Sequence, residues 1–227
     1  MKKIILNPLF SGVLVLVMLV AFWACSYTLF PNNPVFFFDD EGPLEWVTYG
    51  FYGVAILTAL YFARDFWKTD RQSTYFALLF LWLATLLREM GIQHWMTSHD
   101  TTAIKIRFFT NPNNPLHEKI LSATVVMVVV VVALWLMIKW LPKMVKGFFR
   151  LNPMYWTIAV FGGVGFLSQV ADRLPSNYYK ATGERFGEEL TYWLKLAEEG
   201  GESCLPVLFA LAFIQYHILT LNNRRSK

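Results

Sequence analysis

Long apolar blocks separated by short charged stretches constrain this chain of 227 residues more than any other feature of its sequence. The run from Pro8 to Phe30 contains no charged residue. At a rise of about 1.5 Å per residue it is long enough to cross the roughly 30 Å hydrocarbon core of a bilayer. The 56% share of hydrophobic residues also exceeds that of typical globular domains. The pattern therefore predicts a polytopic membrane protein that associates with the lipid bilayer.

The apolar blocks predict one all-α transmembrane domain covering residues 1–227, with six transmembrane helices. Their approximate bounds are 8–30, 44–63, 74–93, 120–140, 154–171 and 189–221. The first block also has features of a secretory signal peptide. Its length and the lack of a clear small-x-small cleavage site favour a retained helix.

Lysine and arginine are divided unequally between the two sides of this six-helix arrangement. The loops that share a side with the N-terminus hold only two acids, Asp65 and Asp70, but 12 of the 20 bases: Lys2, Lys3, Arg64, Lys68, Arg71, Lys139, Lys143, Lys146, Arg150, Arg224, Arg225 and Lys227. Because basic loops stay in the cytoplasm, both termini are predicted to be cytoplasmic. In a bacterial inner membrane the acidic side then faces the periplasm. Once the charges are divided this way, the net charge of +4 no longer favours a nucleic-acid ligand.

Two acids on the outer side lie where a helix does not favour them. Glu89 and Asp172 are at the C-terminal ends of predicted helices, where the macrodipole disfavours an anion. Each has an arginine next to it, but adjacent residues on a helix point in different directions. We therefore expect pairing between helices, with Arg88 reaching the acids of the last helix and Arg173 reaching another outer carboxylate.

The last apolar block begins with three carboxylates, those of Glu198, Glu199 and Glu202. Glu198 and Glu202 are four residues apart and share a helix face, whereas Glu199 lies beside Lys195. Pro206 cannot donate to the carbonyl of Glu202, and Gly200-Gly201 weakens the turn before it. These residues predict a kinked or broken helix whose acids line a polar cavity. The alternative is a helix that enters the membrane at Ser203 and leaves the acids among the headgroups.

The preceding block ends with a polar edge formed by Ser168, Gln169 and Asp172. Gly162-Gly163-Val164-Gly165, closer to its middle, predicts close packing against a neighbouring helix. Cys25 and Cys204 both fall inside predicted helices, so neither a disulfide nor a cysteine metal site is expected.

The outer polar residues suggest roles in one site. Glu89 and Glu202 are candidate acid/base catalysts, Arg88 a clamp for an anionic group, and His94 a group that assists proton transfer. Ile104-Lys105-Ile106-Arg107-Phe108 alternates apolar and basic residues, which makes Lys105 and Arg107, with Arg88, candidates for substrate binding. The cofactor that these carboxylates suit is a divalent cation. Its candidate ligands are Glu45, Glu89, Asp172, Glu199 and Glu202.

Several short motifs follow one another along the chain: Asp40-Glu41-Gly42-Pro43-Leu44-Glu45-Trp46, Leu87-Arg88-Glu89-Met90, His94 and Lys105, Glu118-Lys119, Asp172-Arg173, and Glu198-Glu199-x-x-Glu202. Their order resembles that in a group of small bacterial inner-membrane proteins. The resemblance implies that these positions form one site, and it implies no activity.

Three functions fit this sequence. The first is an envelope enzyme that acts on a lipid-linked or headgroup substrate. The second is a proton- or cation-coupled transporter or channel subunit, which needs polar residues continuing toward the cytoplasm, where the sequence offers little besides Gln215 and His217. The third is a structural partner in an envelope complex. Neither the substrate nor the oligomeric state follows from the sequence.

Overall fold

The computed structural model describes residues 2–39, 42–67, 71–91 and 106–225. All regular elements within these ranges are helical, which confirms the all-α prediction. The helices are α1 (Lys2–Ile5), α2 (Phe10–Leu29), α3 (Pro43–Tyr61), α4 (Gln72–Glu89), α5 (Ile106–Thr110), α6 (Leu116–Phe149), α7 (Pro153–Thr182), α8 (Glu188–Lys195) and α9 (Gly201–Arg225). Short 3-10 turns cover Pro34–Phe38 and Ala63–Asp65, and a π-helical turn, Leu196–Gly200, joins α8 to α9.

Local sequence explains both ends of α7. The Asn152 side chain accepts a hydrogen bond from the backbone N–H of Met154 at 3.1 Å, and Pro153 occupies the first helical position, where a missing N–H costs nothing. Gly183 ends the helix with φ of 76°, a left-handed conformation that glycine adopts without strain. The helix therefore extends well past the predicted end of its span at residue 171.

Among the residues that the structure describes, four helical segments are long and apolar enough to cross a membrane: Phe10–Leu29, Leu116–Phe149, Pro153–Thr182 and Glu188–Leu221. The last of these consists of α8, the π turn and most of α9. Helices α3 and α4 have only 19 and 18 residues, and both carry polar residues near their ends. The length and composition of the helices therefore identify a multi-pass membrane protein with four such segments, whereas the sequence pattern predicts six.

The chain forms two compact units. Unit 1 contains the first part of the chain to Asp65 and the part from Met144 onward, and unit 2 contains Phe66–Lys143. Helix α6 belongs to unit 2 up to Lys143 and to unit 1 beyond it. The prediction of a single transmembrane domain stays a prediction.

In unit 1, α3 lies alongside α9 and runs in the same direction. The hydroxyl oxygens of Thr48 and Ser203 are 2.6 Å apart, and the rings of Phe62 and His217 have centroids 4.4 Å apart. The second contact lies the same number of residues further along both helices, so the two helices stay side by side over about 21 Å.

Helix α7 packs against the same helix in the opposite direction. Gln169 Nε2 donates to Glu202 Oε1 at 3.0 Å, and Thr157 Oγ1 donates to Gln215 Oε1 at 2.8 Å. Thr157 and Gln215 are fully buried, so this polar pair is satisfied inside the protein.

Helix α2 completes unit 1 and is also antiparallel to the final helical segment. Ser26 Oγ and Tyr192 OH are 2.7 Å apart near one end, and Gln215 Nε2 donates to the carbonyl of Ile5, just before α2, at 2.9 Å near the other. Tyr192 joins a buried cluster with Phe37 and Phe38. This aromatic packing holds α8 in place next to the polar residues that follow it.

Unit 2 places the first turn of α4 beside α6. Lys139 Nζ donates to Ser73 Oγ at 3.3 Å, and Trp140 Nε1 donates to Thr74 Oγ1 at 3.1 Å. Lys139 follows the long apolar run of α6, which starts after Glu118 and Lys119. The start of α4 is therefore level with the basic end of that run.

Candidate functional site

The last membrane segment contains a π turn at the point where the sequence predicts a kink or break. The helix continues from α8 through Leu196–Gly200 into α9, and Pro206 lies inside α9 without ending it. A π turn accommodates one residue more than an α-helical turn, and such turns are frequent at functional sites. The predicted distortion is therefore present as a widened turn within a continuous helix.

Side-chain hydroxyls bind two carbonyl groups of the π turn. Ser168 Oγ on α7 shares its one proton between the carbonyl of Ala197 at 3.2 Å and that of Val164 in its own helix at 3.0 Å, and Ser203 Oγ donates to the carbonyl of Glu199 at 2.7 Å. A widened turn disturbs the usual i→i−4 bonding, and these hydroxyls supply alternative donors. The turn is thus held from inside its own helix and from α7.

A third hydroxyl extends this network to α3. Thr48 Oγ1 is 2.6 Å from Ser203 Oγ and 2.9 Å from the carbonyl of Leu44. Thr48 and Ser203 have one hydroxyl proton each. Three contacts compete for these two protons: the one between the two hydroxyls and the one from each hydroxyl to a carbonyl. The protons can therefore be arranged in more than one way without moving a heavy atom.

Close approach of α7 explains the glycine at the start of α9. A Cβ atom at Gly201 would overlap Ser168 Oγ, and a Cβ at Gly200 would stand 3.0 Å from a methyl carbon of Leu19. The close packing predicted for Gly162-Gly163-Val164-Gly165 is present in its second half, where a Cβ at Gly165 would stand 3.8 Å from Leu205 on α9, but a Cβ at Gly162 or Gly163 would meet no described atom within 4 Å. Gly162 and Gly163 lie on an open face of α7, and the tighter approach involves the π turn.

Acidic side chains surround the π turn. Lys195 Nζ lies 3.7 Å from Glu198 Oε2 and 3.5 Å from Glu199 Oε1, and Glu202 accepts the hydrogen bond from Gln169. The Glu198 side chain is only 17% exposed. The contact between Lys195 and Glu199 confirms the expectation drawn from their spacing.

Asp172 joins this group from α7. Both Asp172 and Glu202 lie close enough to Glu198 to repel its charge. We call Asp172, Glu198, Glu199 and Glu202 the acidic cluster. With Lys195 as the cation between two of its members, the cluster has more negative than positive charge.

Arg173 only weakly offsets that surplus. It forms an ion pair with its neighbour Asp172, with 3.4 Å between Nε and Oδ2, and its side chain is 75% exposed. Solvent-exposed pairs of this kind contribute about 0–1 kcal/mol. The expectation that Arg173 would turn away from its neighbour is wrong, because a long guanidinium side chain can bend back toward an adjacent carboxylate.

The same correction applies to Arg88 and Glu89 at the end of α4 in unit 2. Arg88 Nε lies 3.8 Å from Glu89 Oε1, so these neighbours do pair. The expected pairing of Arg88 with the acids of the last helix stays a prediction. His94 and Lys105 lie outside the described residues, and so does the Arg107 side chain, although the backbone of Arg107 belongs to α5.

Glu45 lies in the first turn of α3, where a carboxylate is favoured by the helix dipole. Its Oε1 accepts a hydrogen bond from the Tyr49 hydroxyl one turn later. Among the described residues, no group of three or more His, Cys, Asp or Glu side chains is arranged to hold a metal ion. The predicted ligands Glu45, Glu199 and Glu202 instead contact protein groups.

The sequence analysis did not identify the hydroxyl network. Ser203 follows Glu199 by four residues and Thr48 follows Leu44 by four, which is the spacing at which a hydroxyl can bond a carbonyl one turn earlier. That spacing was a usable signal. The link between Thr48 and Ser203 depends on how α3 packs against α9, and no local pattern predicts it.

The fold and the cluster together define an integral, multi-pass membrane protein with a concentration of acidic side chains at one end of its last apolar helix. Comparisons of the chain with protein-family models, with curated proteins and with solved structures find no match.

Proposed function

We propose that this chain is a six-span bacterial inner-membrane protein whose acidic cluster faces the periplasm and handles a lipid-linked or headgroup substrate. The observation that carries the proposal is that Lys195 and Gln169 hold the carboxylates of Glu198, Glu199 and Glu202 around a π turn. Carboxylates at the mouth of an apolar helix cost free energy unless they are paired or hydrated, and acids in a membrane segment therefore mark a candidate functional site. Fixing them around a distorted turn is typical of a functional site.

Contacts within unit 1 support counting α3 as a span. Because α3 lies beside α9 from Thr48 to Phe62, it occupies the same depth as a helix that is apolar enough to cross the membrane. Aromatic residues and Glu45 lower the average hydropathy of α3. One face of α3 contacts α9, so that face does not have to be apolar enough for lipid.

Contacts within unit 2 support the same count for α4. Glu118 and Lys139 are separated by about 31 Å of helix, close to the thickness of the hydrocarbon core. The start of α4 lies at the Lys139 end. Helix α4 therefore starts at the depth of the basic end of that apolar run, as a span that begins in the cytoplasm would.

Acidic side chains favour a substrate with a cationic group, such as the amine of a phospholipid headgroup. Glu202 is the candidate acid/base residue because Gln169 orients its carboxylate. Lys195 would hold Glu198 and Glu199 in place. The catalytic roles of Glu89, Arg88 and His94 and the binding roles of Lys105 and Arg107 stay predictions.

Replacing Glu202 with glutamine tests this function. Glu202→Gln keeps the side chain's shape and an acceptor for Gln169 but removes the charge, while Glu184→Gln removes an exposed charge in the connection before α8. Lipids are extracted from cells that express the wild type, either variant or an empty vector, and headgroups are quantified by mass spectrometry. We expect wild type and Glu184→Gln to alter the headgroup profile, and Glu202→Gln to match the empty vector. A profile altered equally by Glu202→Gln would contradict the proposal.

Cation- or proton-coupled transport is the second candidate, because α7 and α9 also carry the buried pair of Thr157 and Gln215 deeper in the protein. It ranks second because Gln215 is already bonded to Thr157 and to the carbonyl of Ile5. In liposomes, cation-dependent proton flux that disappears in Glu202→Gln would favour transport. Co-purification with one stoichiometric partner, without an effect of Glu202→Gln on either assay, would favour the structural role.

A further inference from the structure

Unit 2 carries a second charged feature, at the end opposite Glu118. The ammonium of Lys139 lies 4.6 Å from the centre of the Trp135 ring, and that of Lys143 lies 4.5 Å from the centre of the Trp140 ring. Lys139 also donates to Ser73 on α4. We call Ser73, Trp135, Lys139, Trp140 and Lys143 the basic patch.

The two indoles determine the depth of this patch. Tryptophan rings favour the headgroup level of a bilayer, where the ring is partly apolar and the N–H finds a polar partner. Trp140 has such a partner in Thr74. Lysines above these rings hold their ammonium groups at the depth of lipid phosphates.

No described carboxylate of unit 2 can neutralise these lysines. The acids of unit 2 that the structure describes are Glu89, at the end of α4, and Glu118, at the start of α6. Glu89 is about 24 Å along its helix from Ser73, and Glu118 is about 31 Å from Lys139. Between Lys119 and Ala171 the sequence contains no acid at all.

Exposed apolar side chains of α6 lie directly next to the basic patch. Leu134, Ile138 and Leu141 are 51%, 77% and 48% exposed. A small inorganic anion would leave this surface uncovered, whereas a lipid would place its phosphate near the lysines and its acyl chains on the leucines and isoleucine.

We propose that the basic patch binds the phosphate of an anionic phospholipid. The phosphodiester accepts hydrogen bonds from Lys139 and Lys143, and Ser73 orients Lys139. A headgroup without an amine is preferred, since an amine would bring a second positive charge to the lysines.

The test uses the full-length protein in a neutral detergent. Binding of phosphatidylglycerol and phosphatidylcholine is measured by native mass spectrometry across a lipid titration, with inorganic phosphate as a third ligand. Each lysine near an anionic surface contributes about a factor of five to affinity. Lys139→Gln/Lys143→Gln should therefore weaken phosphatidylglycerol binding by roughly 25-fold.

Lys180→Gln/Arg185→Gln is the matched control, because it removes the same charge from the end of α7 and the connection that follows. It should keep wild-type affinity, and Lys139→Arg/Lys143→Arg should largely restore what the glutamines remove. If the double glutamine variant fails to fold, Lys143→Gln alone should weaken binding about fivefold, since Lys143 is exposed.

Three results would overturn the proposal. The first is equal binding of phosphatidylglycerol and phosphatidylcholine by the wild type. The second is an equal loss of phosphatidylglycerol binding in the lysine variant and its control. The third is complete displacement of the lipid by millimolar inorganic phosphate. None of these depends on the function proposed for the acidic cluster.

Discussion

Gly201 and Ser168 are coupled at the scale of single residues. In the wild type, Gly201→Ala forces Ser168 Oγ to rotate away from the carbonyl of Ala197, which offsets the gain of about 1 kcal/mol from replacing glycine in a helix. In a Ser168→Ala background the nearest described atoms to the new methyl are 3.6 Å away, an ordinary contact. We therefore expect Gly201→Ala to be neutral or destabilising alone and stabilising in the Ser168→Ala background.

A double-mutant cycle in detergent unfolding measures that coupling, which we expect to be about 1 kcal/mol or more. Gly163→Ala is the control, because its open face allows a methyl group in either background. Equal effects of Gly201→Ala in both backgrounds would mean that the two residues do not constrain each other.

At this scale the sequence was informative where a contact depends on spacing along one helix. It predicted the pair of Lys195 and Glu199, and the polar edge that contains Ser168, Gln169 and Asp172. It was wrong to exclude ion pairs between the neighbours Arg88 and Glu89 and between Arg173 and Asp172. Helix geometry determines where Cβ atoms point but does not fix the ends of long side chains. The bond from Gln169 to Glu202 depends on the register between α7 and α9, which no local pattern contains.

At the scale of elements, the π turn is a one-residue excess that can be removed. A π turn contains one residue more than an α-helical turn. Deleting Ala197 therefore converts the turn to regular α-helix, and α8 and α9 keep the same sides toward their neighbours. We expect the variant to insert and to melt at or above the wild-type temperature. It should no longer alter the lipid headgroup profile, because the spacing between Lys195 and Glu198 changes.

Deletion of Glu184, in the connection between α7 and α8, removes one residue without touching the turn and serves as the control. Circular dichroism reports helicity, thermal melting reports stability, and lipid analysis reports activity. Full activity after deletion of Ala197 would show that the widened turn is incidental.

Helix positions could be predicted from apolar blocks to within a few residues at most ends. The exceptions are the C-terminal ends of α6 and α7, which continue past the apolar run and through Pro142 and Pro175 to Phe149 and Thr182. Gly200-Gly201 and Pro206 indicated a distortion. The distortion takes the form of a wider turn, which contacts the hydroxyl of Ser168 on another helix, and no local pattern contains that contact.

At the scale of the whole molecule, the six-span arrangement makes a prediction about access. In a Cys25→Ser/Cys204→Ala background, a cysteine at Gln72 should resist a membrane-impermeant thiol reagent added to cells with a permeabilised outer membrane. A cysteine at Thr182 should be labelled from outside, because the proposed arrangement puts the end of α7 on the periplasmic side.

If only four segments crossed the membrane, the connection between α3 and α4 would stay outside and Gln72→Cys would be labelled as fast as Thr182→Cys. Labelling of Gln72→Cys only after the inner membrane is broken would support six spans. A fluorescent protein fused after Lys227 should fold in the cytoplasm under either count, so it tests the termini separately.

Unit 1 is assembled from the two ends of the chain, and this affects its synthesis. Helices α2 and α3 leave the ribosome first, then wait while all of Phe66–Lys143 is translated before their packing partner α9 is made. At about 5–20 residues per second, the delay between Asp65 and Glu202 is on the order of ten seconds. Thr48 is therefore made long before Ser203, its hydrogen-bond partner, and a product that ends before Glu198 contains α3 but lacks Glu198, Glu199 and Glu202.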